Sequence, residues 1–128
     1  MGVFNPEAQY TQEVGFLTED MILLTSAPLS PQRILVGQTN LEHMKNEHPD
    51  DYKRYVRQLP EIIADPDYIA CHPRLGNLQF IKILDDLVLV AVRVTSTGTL
   101  FVRSLYVITE ETLMDYRNAE TVFDWPIR

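Results

Sequence analysis

A single cysteine, Cys71, rules out any internal disulfide, so the fold must rest on its apolar core rather than on covalent cross-links. That usage fits a reducing compartment, and a small side chain packed at a strand end is the stronger reading of Cys71 over a reactive thiol. Long apolar runs are lacking as well. No stretch reaches the roughly eighteen residues a membrane helix needs, so no membrane partner is expected. Residues 1–16 carry neither the basic flank nor the apolar segment of a secretory leader, and the expected location is cytoplasmic. Neither a Cys-x-x-Cys pair, an EF-hand loop, a Walker sequence nor a GxGxxG turn occurs. Their absence removes the strongest cofactor signatures, and no cofactor is expected.

Positive charge is also scarce. Eleven Lys and Arg against eighteen Asp and Glu leave a net charge of −7, the wrong sign for a protein that coats nucleic acid indiscriminately. The distribution is uneven, however. Between Arg74 and Thr109 the bases Arg74, Lys82, Arg93 and Arg103 face only Asp85 and Asp86. From Glu110 to Arg128 five acids face Arg117 and Arg128. A local cationic cleft can therefore coexist with an acidic exterior.

What the chain does contain is 128 residues, 45% of them hydrophobic, enough for one domain with a real core. Residues 1–12 are polar and weakly patterned and read as a flexible arm. Short apolar segments follow at Val14–Leu17, Met21–Leu24 and Arg33–Val36. Thr39 and Glu42 have the spacing of a capping box, predicting a helix with Leu41 and Met44 on its apolar side. Pro49 suits the first turn of a second helix, whose packing stripe is Tyr52, Tyr55, Val56 and Leu59. Beyond Asp65-Pro66-Asp67 the period changes. Tyr68–Cys71, Leu78–Leu84, Leu87–Thr95 and Leu100–Ile108 read as strands joined by tight turns, which favours antiparallel pairing. The expected fold is α+β, with N-terminal helices packed on a four-stranded, mainly antiparallel sheet. Residues 110–128 read as an acidic clasp or a partner-binding tail, with Tyr116, Val122, Phe123 and Trp125 as its apolar surface.

The chemistry resides in three residue types. Imidazole, with an unperturbed pKa of about 6.5, both accepts and donates protons near neutrality. His43 and His48 lie on the first helix, five residues and so about 140° apart on an ideal helix. Lys82, Arg93 and Arg103 fall on later strands, where cations would neutralise a phosphate and the charge growing on it. Ser104 and Tyr106 offer hydroxyls for orienting a phosphate or a base, and Arg74 lies in a turn where it could touch a backbone. Together these groups suit metal-free RNA cleavage: a base frees the ribose 2′-hydroxyl for attack on the adjacent phosphate, and an acid protonates the departing oxygen. DNA has no such hydroxyl. Each residue also has an ordinary role available. His43 could be simply solvated, His48 a cap between helices, Lys82 a salt-bridge partner, and Arg93 an exposed sheet residue. Strand alternation further separates Arg103 from Ser104 and Tyr106 unless a bulge intervenes. His72, before Pro73, reads as a turn contact. The spacing of His43 and His48 is not the HExxH arrangement of zinc helices, and no metal site is expected.

The order Leu41-x-His43-Met44-x-x-x-His48-Pro49-Asp50, then Leu59–Ile69, then strands bearing Lys82 and Arg93, resembles the phage and toxin nucleases related to barnase, EndoU, colicins E5 and D, and RelE. The resemblance covers roughly residues 35 to 109. It implies a single nuclease-like domain of that fold and metal-independent endoribonuclease activity, with RNA as partner, in phage, mobile-element or toxin settings. By position it implies His43, His48, Lys82 and Arg93 as catalytic candidates, with Ser104 or Tyr106 in the later polar region; Arg103 and Arg74 join them around the substrate on residue type alone. The alternative is a phage-derived interaction module, without turnover, that binds RNA or a protein through the C-terminal region.

Overall fold

A computed structural model of the chain describes residues 3–71, 77–119 and 121–125. Strand β1 (Gln12–Leu17) leads into helix α1 (Glu19–Thr25), which Thr18 caps by accepting the Met21 N–H at 3.2 Å. After β2 (Gln32–Val36) come α2 (Gln38–Glu47) and α3 (Pro49–Tyr55), a 3-10 turn (Val56–Gln58) and α4 (Leu59–Ala64). Pro49 and Pro60 both sit in the first turn of a helix, where the missing N–H has no partner to lose. The start of α2 differs from expectation. The helix opens ahead of Thr39, and Asn40 Oδ1 reaches back to accept the Gly37 N–H at 2.8 Å. Strands β3 (Tyr68–Cys71), β4 (Leu78–Ile83), β5 (Leu87–Val94) and β6 (Leu100–Ile108) follow, then α5 (Glu110–Asn118), capped by Thr109, and the short β7 (Val122–Asp124).

The fold is α+β, but the expected four-stranded, mainly antiparallel sheet is corrected. One mixed sheet of seven strands runs in the order β1-β2-β6-β5-β4-β3-β7. The β3–β6 meander lies within it, extended on both sides. On one side β2 pairs parallel to the start of β6, at Ile34 with Leu100 and Leu35 with Phe101, and carries antiparallel β1 beyond it. On the other side β7 pairs antiparallel with β3. The parallel pair joins segments separated by α2, α3 and α4, so no turn residue announces it. At three residues, β7 is too short to show a period.

The main core lies on one sheet face, where Val88, Val90 and Val92 meet Leu41, Met44, Tyr55, Leu59, Ile62 and Ile63 from the helices. The other face carries a smaller cluster, Ile81, Leu89 and Ile108, covered by Leu113 of α5. Tyr116 and Val122 pack against this second cluster, while Trp125 packs against the main core. Arg117 Nη1 lies 3.0 Å from Asp124 Oδ1, tying α5 to β7. At the amino-terminal end Phe4 packs on the main core. Asn5 and Gln12 exchange two hydrogen bonds of 2.9 and 2.8 Å. No helix among the described residues is long and apolar enough to cross a membrane.

Candidate active site

The site follows from where β2 stops. It accompanies β6 only as far as Phe101, then ends at Val36, and α2 takes its place alongside the remainder of β6. The apolar side of α2 fixes its rotation: Leu41 and Met44 are buried in the main core. That leaves Asn40, His43 and Glu47 along a neighbouring stripe, at i, i+3 and i+7, spanning about 10 Å of helix. At the far end α3 anchors the junction. Asp51 Oδ2 accepts the Val107 N–H at 3.0 Å, satisfying a donor on the edge of β6 that β2 leaves open.

A bulge sets the face that β6 presents. Ala91 opposes Ser104 while Val92 opposes Val102, so Arg103 is an extra residue. Val102 and Leu105, three residues apart, are therefore both buried in the main core. Ser104 and Tyr106 consequently share the opposite face with Phe101, and Tyr106 reaches the second cluster. The condition under which Arg103 could stand beside Ser104 and Tyr106 is met, and the exposed Arg103 lies at the bulge itself.

Two contacts then join helix to strand. His43 Nε2 lies 3.0 Å from Glu47 Oε1, and Ser104 Oγ donates to that same oxygen at 3.4 Å. One turn on, at the α2–α3 junction, the imidazole of His48 stacks on the ring of Tyr106, with centroids 5.0 Å apart and planes at 29°. His48 is the residue linking the two helices, as its ordinary reading foresaw, and it also faces Tyr106. Burial first, then the nearby Tyr116 and the Glu47 carboxylate, push the Tyr106 phenol above its ordinary value of 10.0. At neutrality it is therefore a hydrogen-bond donor and no base.

Arg93 lies on the same sheet face, opposite Phe101 and two residues (about 7 Å of strand) from Ala91, the partner of Ser104. With Phe101, Thr95, Ser96 and the first turn of α2 it lines a polar cleft of about 760 Å³. His43 is one helical turn beyond Asn40 of that lining. The structure thus links His43 to Ser104 through Glu47 and stacks His48 on Tyr106, with Arg103 at the bulge beside Ser104. Arg93 lies two strand residues from the partner of Ser104 and four, about 13 Å, from Leu89, the partner of Tyr106.

Lys82 is not among them. It lies two residues from Phe80, on the same face, and pairs with Val88, which places it on the main-core face. Its side chain is only 13% exposed, and Nζ donates to the Asp65 main-chain oxygen at 2.7 Å, with Asp65 Oδ2 at 3.5 Å. The amine thus satisfies a carbonyl at the end of α4. Arg74 and His72 lie outside the described residues. Sequence reasoning missed Glu47 as a site residue, although its i+4 spacing from His43 was the available signal. It also missed Asp51, whose place in the first turn of α3 already has an ordinary explanation in the helix dipole. Among the described residues no group of three or more His, Cys, Asp or Glu side chains is placed to hold a metal ion.

Comparison with known proteins gives one finding. A family model described as phage-Barnase-EndoU-ColicinE5/D-RelE like nuclease3 matches residues 12–115, a wider interval than the motif order alone suggested. No curated protein and no solved structure gives a significant match.

Proposed function

The chain belongs to the family of phage Barnase–EndoU–colicin E5/D–RelE-like nucleases, and from that premise we propose that it is a metal-independent endoribonuclease working on the surface where α2 meets β6. The observation that carries this reading is the His43–Glu47–Ser104 contact chain beside the His48–Tyr106 stack. Two imidazoles next to a protonated phenol and unpaired guanidinium groups supply what transesterification of RNA requires, with no further reagent.

Glu47 holds the Nε2 side of His43 and leaves Nδ1 to take the proton of a ribose 2′-hydroxyl. The 2′-oxygen attacks the adjacent phosphorus, and the bond from phosphorus to the 5′-oxygen breaks. His48 delivers a proton to that departing oxygen. The products are a 2′,3′-cyclic phosphate and a free 5′-hydroxyl. Tyr106 donates to a phosphate oxygen, Ser104 keeps its hydrogen bond to Glu47 and so steadies the carboxylate that holds His43, and Arg93 and Arg103 offset the charge of the crowded phosphate. Lys82 has no part in this reading, because its ammonium is held by Asp65 across the sheet.

The test is incubation of a mixed RNA pool and a matched DNA pool with the protein in excess EDTA, followed by analysis of fragment ends. Cuts confined to RNA, bearing 2′,3′-cyclic phosphate, are expected. An intact RNA pool, or cuts that vanish with EDTA, would overturn the proposal.

A further inference from the structure

Four of the cations on described residues have a carboxylate partner: Arg33 with Glu13, Arg54 with Asp86, Lys82 with Asp65, and Arg117 with Asp124. Among the described residues the cations without one are Lys45, Lys53, Arg57, Arg93 and Arg103. In a chain with 18 acids against 11 bases, such a set stands out. Arg93 lines the polar cleft at the start of α2, and Arg103 lies at the β6 bulge. Lys45, Lys53 and Arg57 come from α2, α3 and the following 3-10 turn, and all of them line a second recess of about 480 Å³.

This recess lies against the back of the α2–α3 junction. Pro49, part of its lining, directly follows His48. Tyr52 stands within it, half-buried, its hydroxyl donating to the Pro6 carbonyl at 3.4 Å. Glu7 and Asp50 also line it, so the three cations exceed the acids by one. Lys45, Lys53 and Arg57 are all exposed, so none has a packing role to account for it. Cations on successive helices around an aromatic ring match the repeating charge and unstacked bases of a single strand.

We infer that Lys45, Lys53 and Arg57 form a phosphate track that holds single-stranded RNA flanking the scissile site and leads it over the α2–α3 junction to His48. This rests on the ribonuclease reading for the identity of the strand, and it assigns the recess a role in binding, separate from bond cleavage. It also explains how an acidic protein engages a polyanion: contact is confined to the two surfaces where the cations without a carboxylate partner lie.

The test separates binding from cleavage. A short, fully 2′-O-methylated single-stranded RNA has no nucleophile, and its binding is followed by fluorescence anisotropy from about 50 to 200 mM salt. Wild type is compared with the K45A/K53A/R57A variant and with the charge-preserving K45R/K53R/R57K variant. Thermal melting confirms that all three are folded. The slope of log affinity against log salt should fall by about 2 in the alanine variant, at about 0.7 per lost phosphate contact on a single strand. Affinity at the lowest salt should fall at least ~10-fold, while the charge-preserving variant keeps the wild-type slope. An unchanged slope in the alanine variant overturns the track, even if unmodified RNA is cleaved normally. Binding that loses its slope as expected, by a wild type that cuts no RNA, upholds the track and removes the ribonuclease reading. If a poly-glutamate peptide of matched charge binds through these residues and RNA does not, the recess serves an acidic protein and the inference falls.

Discussion

Lys82 and Arg93 are cations on adjacent strands of one sheet, and they meet opposite fates. Lys82 points to the face covered by α4, where it is nearly buried and donates to the Asp65 carbonyl. Arg93 points to the other face, where it is exposed and lines the cleft at the start of α2. The difference is strand parity alone. On the covered face a charge persists only if the protein itself satisfies it. On the other face, open beyond the patch that α5 covers, the charge is left for a ligand. Tyr55 of α3 is likewise buried in the main core with its hydroxyl donating to Asp86 in the β4–β5 turn, whereas Tyr106, on the other sheet face, stacks its ring on His48.

The sharpest way to test that division is to remove chemistry from the open face. His43→Ala should slow RNA cleavage by about 10²–10⁴-fold, the usual worth of a positioned acid or base, with an unchanged melting temperature because the side chain is exposed. A melting temperature that falls along with activity would make His43 a structural residue.

The next effect belongs to the covered face. A methyl group on Gly15 would overlap the Ile63 side chain, a branched residue that is fully buried and cannot yield cheaply. Gly15→Ala should cost about 1–3 kcal/mol in chemical denaturation, with the folded fraction cleaving RNA at the wild-type rate. Wild-type stability would mean that β1 and α4 are not in close contact.

The smallest effect concerns pH. Tyr52, Tyr55 and Tyr106 are all raised above 10.0, with burial as the leading cause. In the alkaline range the folded state therefore holds more protons than the unfolded one. The stability due to the neutral phenols is intact below pH 10 and is lost as pH rises through the higher folded values. Melting curves should shift downward above pH 10, less steeply in Tyr55→Phe and in Tyr106→Phe. Of the two, only Tyr106→Phe should also slow cleavage.

Much of this was legible in the sequence. Alternation identified β4, β5 and β6 and the two faces of β5, and Pro49 marked the start of α3 correctly. The long-range pairings were not legible. The β2–β6 contact depends on how α2, α3 and α4 fold between its partners, and β7 forms only because β3 offers an open edge. At the site, the histidines, Ser104 and Tyr106 could be named from residue type. Their meeting required the extra residue Arg103, which reverses the parity of β6 and which no pattern reveals in advance. The sequence offers Lys82 either as a cation for phosphate or as a salt-bridge partner, since burying it unpaired is costly. The cost is instead met by the carbonyl of Asp65, a partner invisible in a sequence because every residue carries one.

The most direct measurement is the initial rate of RNA cleavage by wild type, His48→Ala and Lys82→Ala, each normalised to its folded fraction. The open-face account predicts that His48→Ala loses most of the activity, while Lys82→Ala is less stable but cleaves like wild type. Loss of cleavage in folded Lys82→Ala, with His48→Ala active, would put the reacting phosphate on the other side of the sheet and contradict the account.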